Sequence, residues 1–333
     1  MRWTLSNGET LVGNETAKAA LDARLTGEAF PHAILIEGPV GSGRRTLARL
    51  IAAAALCDER EVPCGACSHC RRVLAGIHPD VTEVGGNGEA RSFHVDEIRR
   101  IREEAYVLPN EGRRRVFVLC DAGQMTEQAQ NALLKLLEEP PAHVVLILTC
   151  EQRFQLLDTV ISRVFPVTLE GVDIDEAVGV LTARFPDKPT EEIRRVAALW
   201  GGVIGQAEES LRGGTYGEIV DIVSAIANGI VAPAELALLK ATAKLEKRKE
   251  AATPVLSGLQ LVLRDAMAAR SGALSRLSTD PEAAEMLARQ LTGRQLLEMR
   301  GVIEDLQRSR HFNMNHTLFI TALCARLRRA AGR

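Results

Sequence analysis

Short apolar runs alternate with amphipathic segments along the first half of the chain. The runs are rich in Val, Ile and Leu and have the length of buried strands, whereas the segments between them carry apolar residues three or four positions apart, as helices do. This alternation predicts an α/β fold in which a parallel sheet is joined by crossover helices. The predicted strands are residues 33–37, 80–84, 115–120, 144–150 and 164–169, and the predicted helices are residues 14–26, 44–56, 67–76, 94–106, 126–138 and 152–159.

The strand pattern stops near Gly171, and only helical periodicity follows. The Gly-Gly pair at 213–214 predicts a linker, Pro233 and Pro254 predict helix breaks, and Asp280 before a proline predicts a helix start. We therefore expect three domains. They are an α/β domain over residues 1–170, a helical lid over residues 171–212 with helices at 173–184, 190–200 and 203–212, and an all-α domain over residues 213–333.

Composition and charge exclude several classes of protein. The chain is 46% hydrophobic and 25% charged, as in a globular protein, and its net charge of −2 excludes a surface that is a nucleic-acid footprint throughout. The start of the sequence lacks the apolar segment of a secretory signal. The longest apolar runs, residues 50–57 and 144–150, are too short to span a bilayer. We expect a cytoplasmic protein.

Four of the seven cysteines are clustered as Cys57-x6-Cys64-x2-Cys67-x2-Cys70. Clustered thiols in a cytosolic chain are more often metal ligands than disulfides, and four thiolates complete the closed tetrahedral shell of a structural zinc site. We predict one structural zinc ion held by these four residues, in a module over residues 57–70; an iron–sulfur cluster and a reactive dithiol are the alternatives. Since four cysteines complete the ligand set, we expect His69 to be a solvent-facing bystander.

Residues 38–46 keep the pattern of a nucleotide-binding loop but lack its reactive side chains. The working pattern is Gly-x-x-x-x-Gly-Lys-[Ser/Thr], in which Lys holds the terminal phosphates and the hydroxyl ligates Mg²⁺. A predicted strand precedes these residues and a predicted helix follows, but Arg44 replaces the Lys and Arg45 replaces the hydroxyl residue. We expect no productive ATP binding at this degenerate phosphate loop, which comprises Gly38, Gly41, Gly43, Arg44, Arg45 and Thr46.

The acidic part of a nucleotide site is also incomplete. The apolar run 115–120 ends in Asp121-Ala122, where nucleotide hydrolases carry two acidic residues, one for Mg²⁺ and one that orients the attacking water. Asp121 can still support a metal, but Ala122 cannot activate water. We therefore expect that the chain is not an enzyme by itself; the alternative is that neither segment derives from a nucleotide site.

Four segments together resemble the bacterial clamp-loader branch of the AAA+ family. Two of them are the loop remnant and the cysteine cluster with its continuation Ile77-His78-Pro79-Asp80. The other two are Asn131–Pro141, which contains Leu-Leu-Lys-x-Leu-Glu-Glu-Pro-Pro, and Ile161-Ser162-Arg163. The resemblance covers about residues 10–170 at the level of motifs, and the helical character of the remainder agrees with it.

The resemblance implies a RecA-like AAA+ sheet domain with an inserted zinc module, a small helical lid domain and an all-α collar domain that joins a ring of subunits. It implies a noncatalytic stator that helps to load the sliding clamp onto primed DNA. The implied partners are motor subunits of the gamma/tau type and a delta subunit, with no membrane. Loss of the lid Arg, where Gly205 stands, also favours a stator. The alternatives are an ATP-hydrolysing motor with a divergent loop and a free-standing zinc module that binds nucleic acid.

Arg163 has the clearest implied role. By the resemblance it is an arginine finger that reaches the γ-phosphate of ATP in a neighbouring motor subunit and stabilises the charge that develops there, and Ser162 positions it. Without the resemblance, Arg163 would be interpreted as a helix cap or as the partner of a surface carboxylate. The basic run at residues 113–115 is interpreted as a solvated loop in preference to a contact with DNA phosphates.

Overall fold

The computed structural model describes residues 11–25, 30–59, 61–85, 93, 95–273, 277–310 and 315–332. The chain divides into two compact units, Met1–Val172 and Asp173–Arg333. Within the described residues, no helix is both long and apolar enough to cross a membrane. The ends of two predicted helices, at Thr26 and His94, lie outside the described residues.

The first unit is built on a five-stranded parallel sheet. Its strands are β1 (Ala33–Glu37), β2 (Val81–Val84), β3 (Arg115–Leu119), β4 (Val144–Cys150) and β5 (Phe165–Thr168). They lie in the order β2-β3-β4-β1-β5, and every neighbouring pair is parallel. The carboxyl ends of β1, β3 and β4 therefore meet at one edge of the sheet. The prediction of a parallel sheet with crossover helices is confirmed.

Helices cover both faces of this sheet. They are α1 (Glu15–Leu25), α2 (Arg44–Leu56), α3 (Ser68–Leu74), α4 (Val95–Ala105), α5 (Glu127–Glu138) and α6 (Asp158–Ile161). Side chains of β1 alternate between two cores: Ile34 and Ile36 belong to the core that includes α1 and α2, and Leu35 belongs to the core that includes α4 and α5. Because both of their faces are buried, the central strands β1, β3 and β4 are nearly continuous apolar runs instead of alternating ones.

The predicted helix over residues 152–159 is wrong. The chain instead forms a 3-10 turn at Arg153–Gln155, followed by the short helix α6. The side chain of Gln130, on α5, enters between them: its Nε2 donates to the Gln155 carbonyl at 3.3 Å, and its Oε1 accepts from the Leu157 N–H at 2.7 Å. These backbone groups are therefore bonded to α5 and not to a continuous helix.

The described residues of the second unit form helices and no strands. Its predicted linker is the single residue Gly214, at a φ of 67°, which glycine adopts without strain. Asp280 caps a helix as predicted, and its carboxylate accepts from the Ala283 N–H at 2.9 Å. The division into a lid and a collar domain stays a prediction. The helices are α7 (Ile174–Arg184), α8 (Thr190–Leu199), α9 (Ile204–Gly213), α10 (Thr215–Val231), α11 (Glu235–Ala243), α12 (Ala252–Arg270), α13 (Pro281–Gln290), α14 (Gly293–Arg310) and α15 (His316–Ala330).

Candidate functional site

The four clustered cysteines converge at the end of α2. Cys57 follows the last residue of α2, Cys67 precedes α3 as its N-cap, and Cys70 lies within α3. All four Sγ atoms lie within 4.8 Å of one another, and the Sγ atoms of Cys64 and Cys70 are 3.9 Å apart. Tetrahedral zinc with Zn–S bonds of about 2.3 Å requires S···S distances of about 3.8 Å. The donor set and its spacing therefore fit a metal ion.

Backbone N–H groups point at the sulfur atoms of this cluster. Cys64 Sγ accepts from the N–H groups of Cys67 and Ala66 at 3.2 and 3.4 Å, and Cys57 Sγ accepts from the Cys64 N–H at 3.4 Å. Burial alone would raise the pKa of the Cys64 thiol, but these N–H donors outweigh it and lower the pKa to about 7. Burial raises the pKa of Cys57 and of Cys70. Since a metal binds the thiolate form, its affinity should fall as the pH falls.

His69 is not the solvent-facing residue that we expected. Its side chain is only 14% exposed, and its Nδ1 lies 2.8 Å from Nε2 of His78. Nδ1 of His78 accepts from the Asp80 N–H at 3.1 Å, so His78 carries its proton on Nε2 and donates to His69. Burial lowers the pKa of His78, which favours this neutral ring. His69 thus joins α3 to the segment that leads into β2.

Asp80 organises the loop after α4, a role that the sequence did not indicate. Its fully buried carboxylate accepts from the N–H groups of Asn110, Glu111 and Gly112 at 2.5, 2.9 and 2.7 Å. Burial alone would raise the pKa of Asp80, but these donors outweigh it and hold the pKa below its ordinary value. The position of an acid at the start of a strand, after His-Pro, is the signal that could have found it.

The basic run that follows this loop has partners within the first unit. Arg113 donates from Nη2 to the Cys57 carbonyl at 2.8 Å and from Nε to the Ala55 carbonyl at 3.2 Å. The Arg114 guanidinium lies over the Phe30 ring, 4.3 Å from its centroid. Arg113 therefore satisfies carbonyl groups at the end of α2, where Cys57 begins the cluster.

The degenerate phosphate loop forms a glycine turn between β1 and α2. β1 ends at Glu37, and α2 begins at Arg44. Gly43 precedes α2 with a φ of 95°, which side chains other than glycine rarely adopt. A Cβ on Gly38 would lie 2.6 Å from the Leu169 carbonyl oxygen. The glycines are therefore required by the turn itself, whether or not a phosphate is bound.

The two arginines of the loop are paired with carboxylates of the same unit. Arg44 is only 8% exposed, and its Nη2 lies 3.2 Å from Oδ1 of Asp121. Arg45 approaches Glu83, on β2, with Nε 3.8 Å from Oε1. Ala122 is fully buried and has no group that could accept a proton. Arg44 and Asp121, at the positions that the sequence predicts for the Lys and the metal ligand of a nucleotide site, thus contact each other.

A further ion pair supports the start of the loop. Glu37 is 9% exposed at the end of the otherwise apolar strand β1, and Arg153 donates to both of its carboxylate oxygens. Thr168 Oγ1, on β5, donates to Oε1 of Glu37 at 2.7 Å. The hydrogen bond from Arg153 is the main cause that lowers the pKa of Glu37. An acid that ends an apolar strand was the available signal.

Ser162 and Arg163 follow α6, and their side chains meet. Nη1 of Arg163 donates to the Thr159 carbonyl at 2.8 Å and to Ser162 Oγ at 3.1 Å. Nη2 of Arg163 lies 2.7 Å from Oε1 of Glu138, the last residue of α5. Both simpler interpretations, a helix cap and a carboxylate partner, thus describe Arg163 within this chain. Its role at a neighbouring nucleotide stays a prediction.

Comparisons with known proteins find sequence similarity over the first unit. The family model described as "DNA polymerase III, delta subunit" matches residues 13–173. The chain is 35% identical over 186 residues to DNA polymerase III subunit delta' of Pseudomonas aeruginosa, which covers 55% of this chain and 57% of that protein. It is 38% identical over 137 residues to subunit delta' of Bacillus subtilis, covering 41% of each. It is 35% identical over 157 residues to subunit tau of Bacillus subtilis, covering 46% of this chain and 27% of that protein. The alignments thus span between 27% and 57% of these relatives.

Proposed function

Residues 13–173 belong to the family of DNA polymerase III clamp-loader subunits, and on this basis we propose that the chain is a stator subunit of the delta-prime type. In this role it joins motor subunits of the gamma/tau type and a delta subunit. It helps that assembly to place the sliding clamp on primed DNA but does not hydrolyse ATP itself. The role implies a cytoplasmic location.

The observation that carries this proposal is the contact between Arg44 and Asp121. A working site needs a compact cation for the terminal phosphates and a carboxylate that is available to Mg²⁺. A guanidinium is planar and forked and does not substitute for the Lys ammonium. Here it also contacts the carboxylate that would support the metal. With Ala122 at the position of the water-orienting acid, phosphate binding and water activation lack their side chains, and the carboxylate that would support the metal is in contact with Arg44.

The second candidate is a motor subunit with a divergent phosphate loop. The chain is 35% identical to subunit tau of Bacillus subtilis. This similarity supports a motor role and a clamp-loader role in general equally well. The motor would have to use Arg44 in place of Lys and to position water without an acid at residue 122. The two candidates differ in one measurable property, which is ATP turnover by the chain alone.

Arg163 supplies the proposed contribution to catalysis in a neighbouring subunit. Its fixed positive charge would stabilise the charge that develops on the γ-phosphate, an effect of about 10³–10⁵ in rate for fingers supplied in trans. Ser162 supports this role because its hydroxyl accepts a hydrogen bond from the Arg163 guanidinium.

We further propose that Cys57, Cys64, Cys67 and Cys70 hold one structural zinc ion. Four thiolates leave no position for a water molecule, so such an ion stabilises structure and performs no reaction. The cluster joins the end of α2 to α3. The zinc-bound module would therefore stabilise the segment of chain that connects α2 to β2.

Steady-state ATP hydrolysis separates the stator from the motor. The purified chain alone should show no turnover above background, and its reconstitution with cognate motor and delta subunits should be required for clamp loading on primed DNA. ATP turnover by the isolated chain at about 1 s⁻¹, a common enzyme rate, would contradict the stator assignment and support the motor.

The Arg163→Ala variant tests the finger in the reconstituted complex. It should join the assembly normally, because one half-exposed Arg contributes little to a large interface, while ATP turnover at the adjoining site falls by about 10³-fold or more. Arg163→Lys should recover only part of the rate, since a point charge cannot make a bidentate contact with phosphate. Arg99→Ala, which removes an exposed Arg of α4, is the matched control. Unchanged turnover in Arg163→Ala, with assembly intact, would contradict the proposed role.

A further inference from the structure

The guanidinium of Arg163 is only partly used by its contacts within the chain. Of its five N–H donors, two on Nη1 contact Thr159 and Ser162, and one on Nη2 contacts Glu138. The Nε–H and the second Nη2–H have no partner among the described residues. Two donors therefore remain, which is the number that a bidentate contact with a phosphate needs.

Glu138 is held where it can direct this side chain. It ends α5, which is anchored to the sheet by the buried side chains of Leu133, Leu136 and Leu137. The backbone of Arg163 is fixed in turn by the hydrogen bond from its N–H to the Val160 carbonyl at 3.0 Å. The end of α5 that carries Glu138 and the Arg163 backbone are therefore both fixed, and the ion pair joins the two flexible side chains between them.

Folding stability does not explain the ion pair. The Arg163 and Glu138 side chains are 35% and 49% exposed, and pairs in such positions contribute little to the free energy of unfolding. Preorganisation does explain it, because an unrestrained Arg side chain would lose rotamer freedom each time it engaged a phosphate. A single contact on Nη2 fixes the direction of the guanidinium without consuming the donors that a phosphate would use.

We propose that Glu138 is a positioning residue that holds Arg163 in the orientation needed to reach the γ-phosphate of a neighbouring subunit's ATP. This inference rests on the proposed function of Arg163. Glu138 acts only through the guanidinium and does not contact the nucleotide. The opposite arrangement, in which the carboxylate retains the finger and must release it, predicts that removal of Glu138 raises the rate.

Two substitutions in the reconstituted clamp-loader complex test the proposal. Glu138→Ala removes the acceptor and should lower kcat for ATP at the adjoining site about tenfold, since misplacement of a catalytic group is costly, while the KM for ATP stays unchanged. Glu138→Gln keeps an oxygen that can contact Nη2 at the same position and should retain kcat within about twofold. A kcat for Glu138→Ala equal to or above that of the unmodified complex would overturn the proposal, as would equal losses in the Ala and Gln variants.

The controls separate failure of this inference from failure of the proposed function. Glu139→Ala removes the adjacent exposed carboxylate and should leave kcat unchanged. In an Arg163→Ala background, Glu138→Ala should cause no additional loss, because a residue that acts through Arg163 has nothing left to position. If Arg163→Ala lowers the rate and Glu138→Ala does not, only the inference fails. If Arg163→Ala has no effect, the proposed function fails.

A measurement on the isolated chain needs no partner subunit. Proton–nitrogen NMR of the Arg163 guanidinium should show restricted rotation in the unmodified chain and in Glu138→Gln, and averaged signals in Glu138→Ala. Signals that do not change in Glu138→Ala would show that the carboxylate does not hold the side chain, and would overturn the proposal whatever the ATP measurements give.

Discussion

Helix α2 carries the phosphate loop at its first residue and the cysteine cluster just past its last, about 20 Å apart for its 13 residues. At the first end, a glycine turn leads into α2, and the Arg44 and Asp121 side chains contact each other. At the other end, the four Sγ atoms lie within 4.8 Å of one another, and backbone N–H groups favour the thiolate form of Cys64. Under the proposed function, backbone shape and binding chemistry are therefore retained separately. What distinguishes the ends is whether the ligating side chains already have partners within the chain.

The largest effect is expected where the ligand donors converge. Cys67→Ser should reduce the metal content from one zinc per chain to none, because a serine hydroxyl is not deprotonated at neutral pH and the shell is left incomplete. Elemental analysis measures the content, and hydrogen exchange should show faster opening at residues 57–70 with the sheet still protected. Cys324→Ala, in the second unit, should keep the metal. Retention of one zinc in Cys67→Ser would contradict the claim that Cys67 is one of four metal donors at this end of α2.

The support of the cluster end should depend on Asp80. Replacing it with Asn leaves buried N–H donors poorly satisfied and should lower the free energy of unfolding by about 2 kcal/mol at pH 7. Because the pKa of Asp80 is lowered on folding, the carboxylate stabilises the fold above the unfolded pKa of about 3.9, and this contribution is lost as the pH falls through the folded pKa.

Urea unfolding at neutral and acid pH measures both effects of the Asp80 substitution. The difference between the original chain and Asp80→Asn should shrink below about pH 4, where the unfolded carboxyl begins to bind its proton. Asp96→Asn, at a carboxylate that is 89% exposed, is the control and should change stability by less than about 0.5 kcal/mol. A difference that is independent of pH would contradict the assignment to the charged carboxylate.

Gly43→Ala tests whether the loop end still depends on its backbone shape. The φ of 95° is strained for any side chain, and the new Cβ would lie 3.3 Å from Cδ1 of Leu11, so the free energy of unfolding should fall by about 1–2 kcal/mol. Gly217→Ala, on α10 with no atom near the added Cβ, should instead raise it by up to about 1 kcal/mol. Equal effects of the two substitutions on the free energy of unfolding would contradict the claim that the turn requires a positive φ at residue 43.

The smallest effect is expected from the ion pair at the loop. Arg44→Met keeps the apolar stem but removes the charge, and should cost about 1 kcal/mol, since Asp121 is 36% exposed and water can replace its partner. Adding Asp121→Asn to Arg44→Met should cost little more, because the two side chains act together. Urea unfolding of the four chains in this cycle gives the coupling. Fully additive effects would show that the contact does not neutralise the loop.

Local pattern predicted most of the first unit, and contacts between distant segments account for what it missed. The strands 33–37 and 144–150 were predicted to the residue because burial on both faces leaves an uninterrupted apolar run. The helix at 152–159 failed because Gln130, remote in sequence, bonds to its backbone. The cysteine spacing alone indicated the cluster, since all four cysteines lie within one short segment.

The pairing of charges could not be predicted in this way. Arg44 and Asp121 are 77 residues apart, and Glu37 and Arg153 are 116 apart. Each of these residues has many oppositely charged candidates in the chain, and only the order of the strands brings the right ones together. The sequence therefore indicated candidate residues for chemistry, but it did not indicate which partners their side chains have within the folded chain.

The pair formed by Arg44 and Asp121 has an evolutionary consequence under the proposed function. A single reversion of Arg44 to Lys would restore one phosphate contact but leave Arg45 and Ala122 in place, so natural selection would find no ATP hydrolysis to favour. The reverse path crosses variants that are less stable and no more active. Loss of this kind is therefore hard to reverse. We expect lineages that have lost ATP hydrolysis to keep the loop for its structural role only, while their ATP-hydrolysing paralogues stay under purifying selection for the intact site.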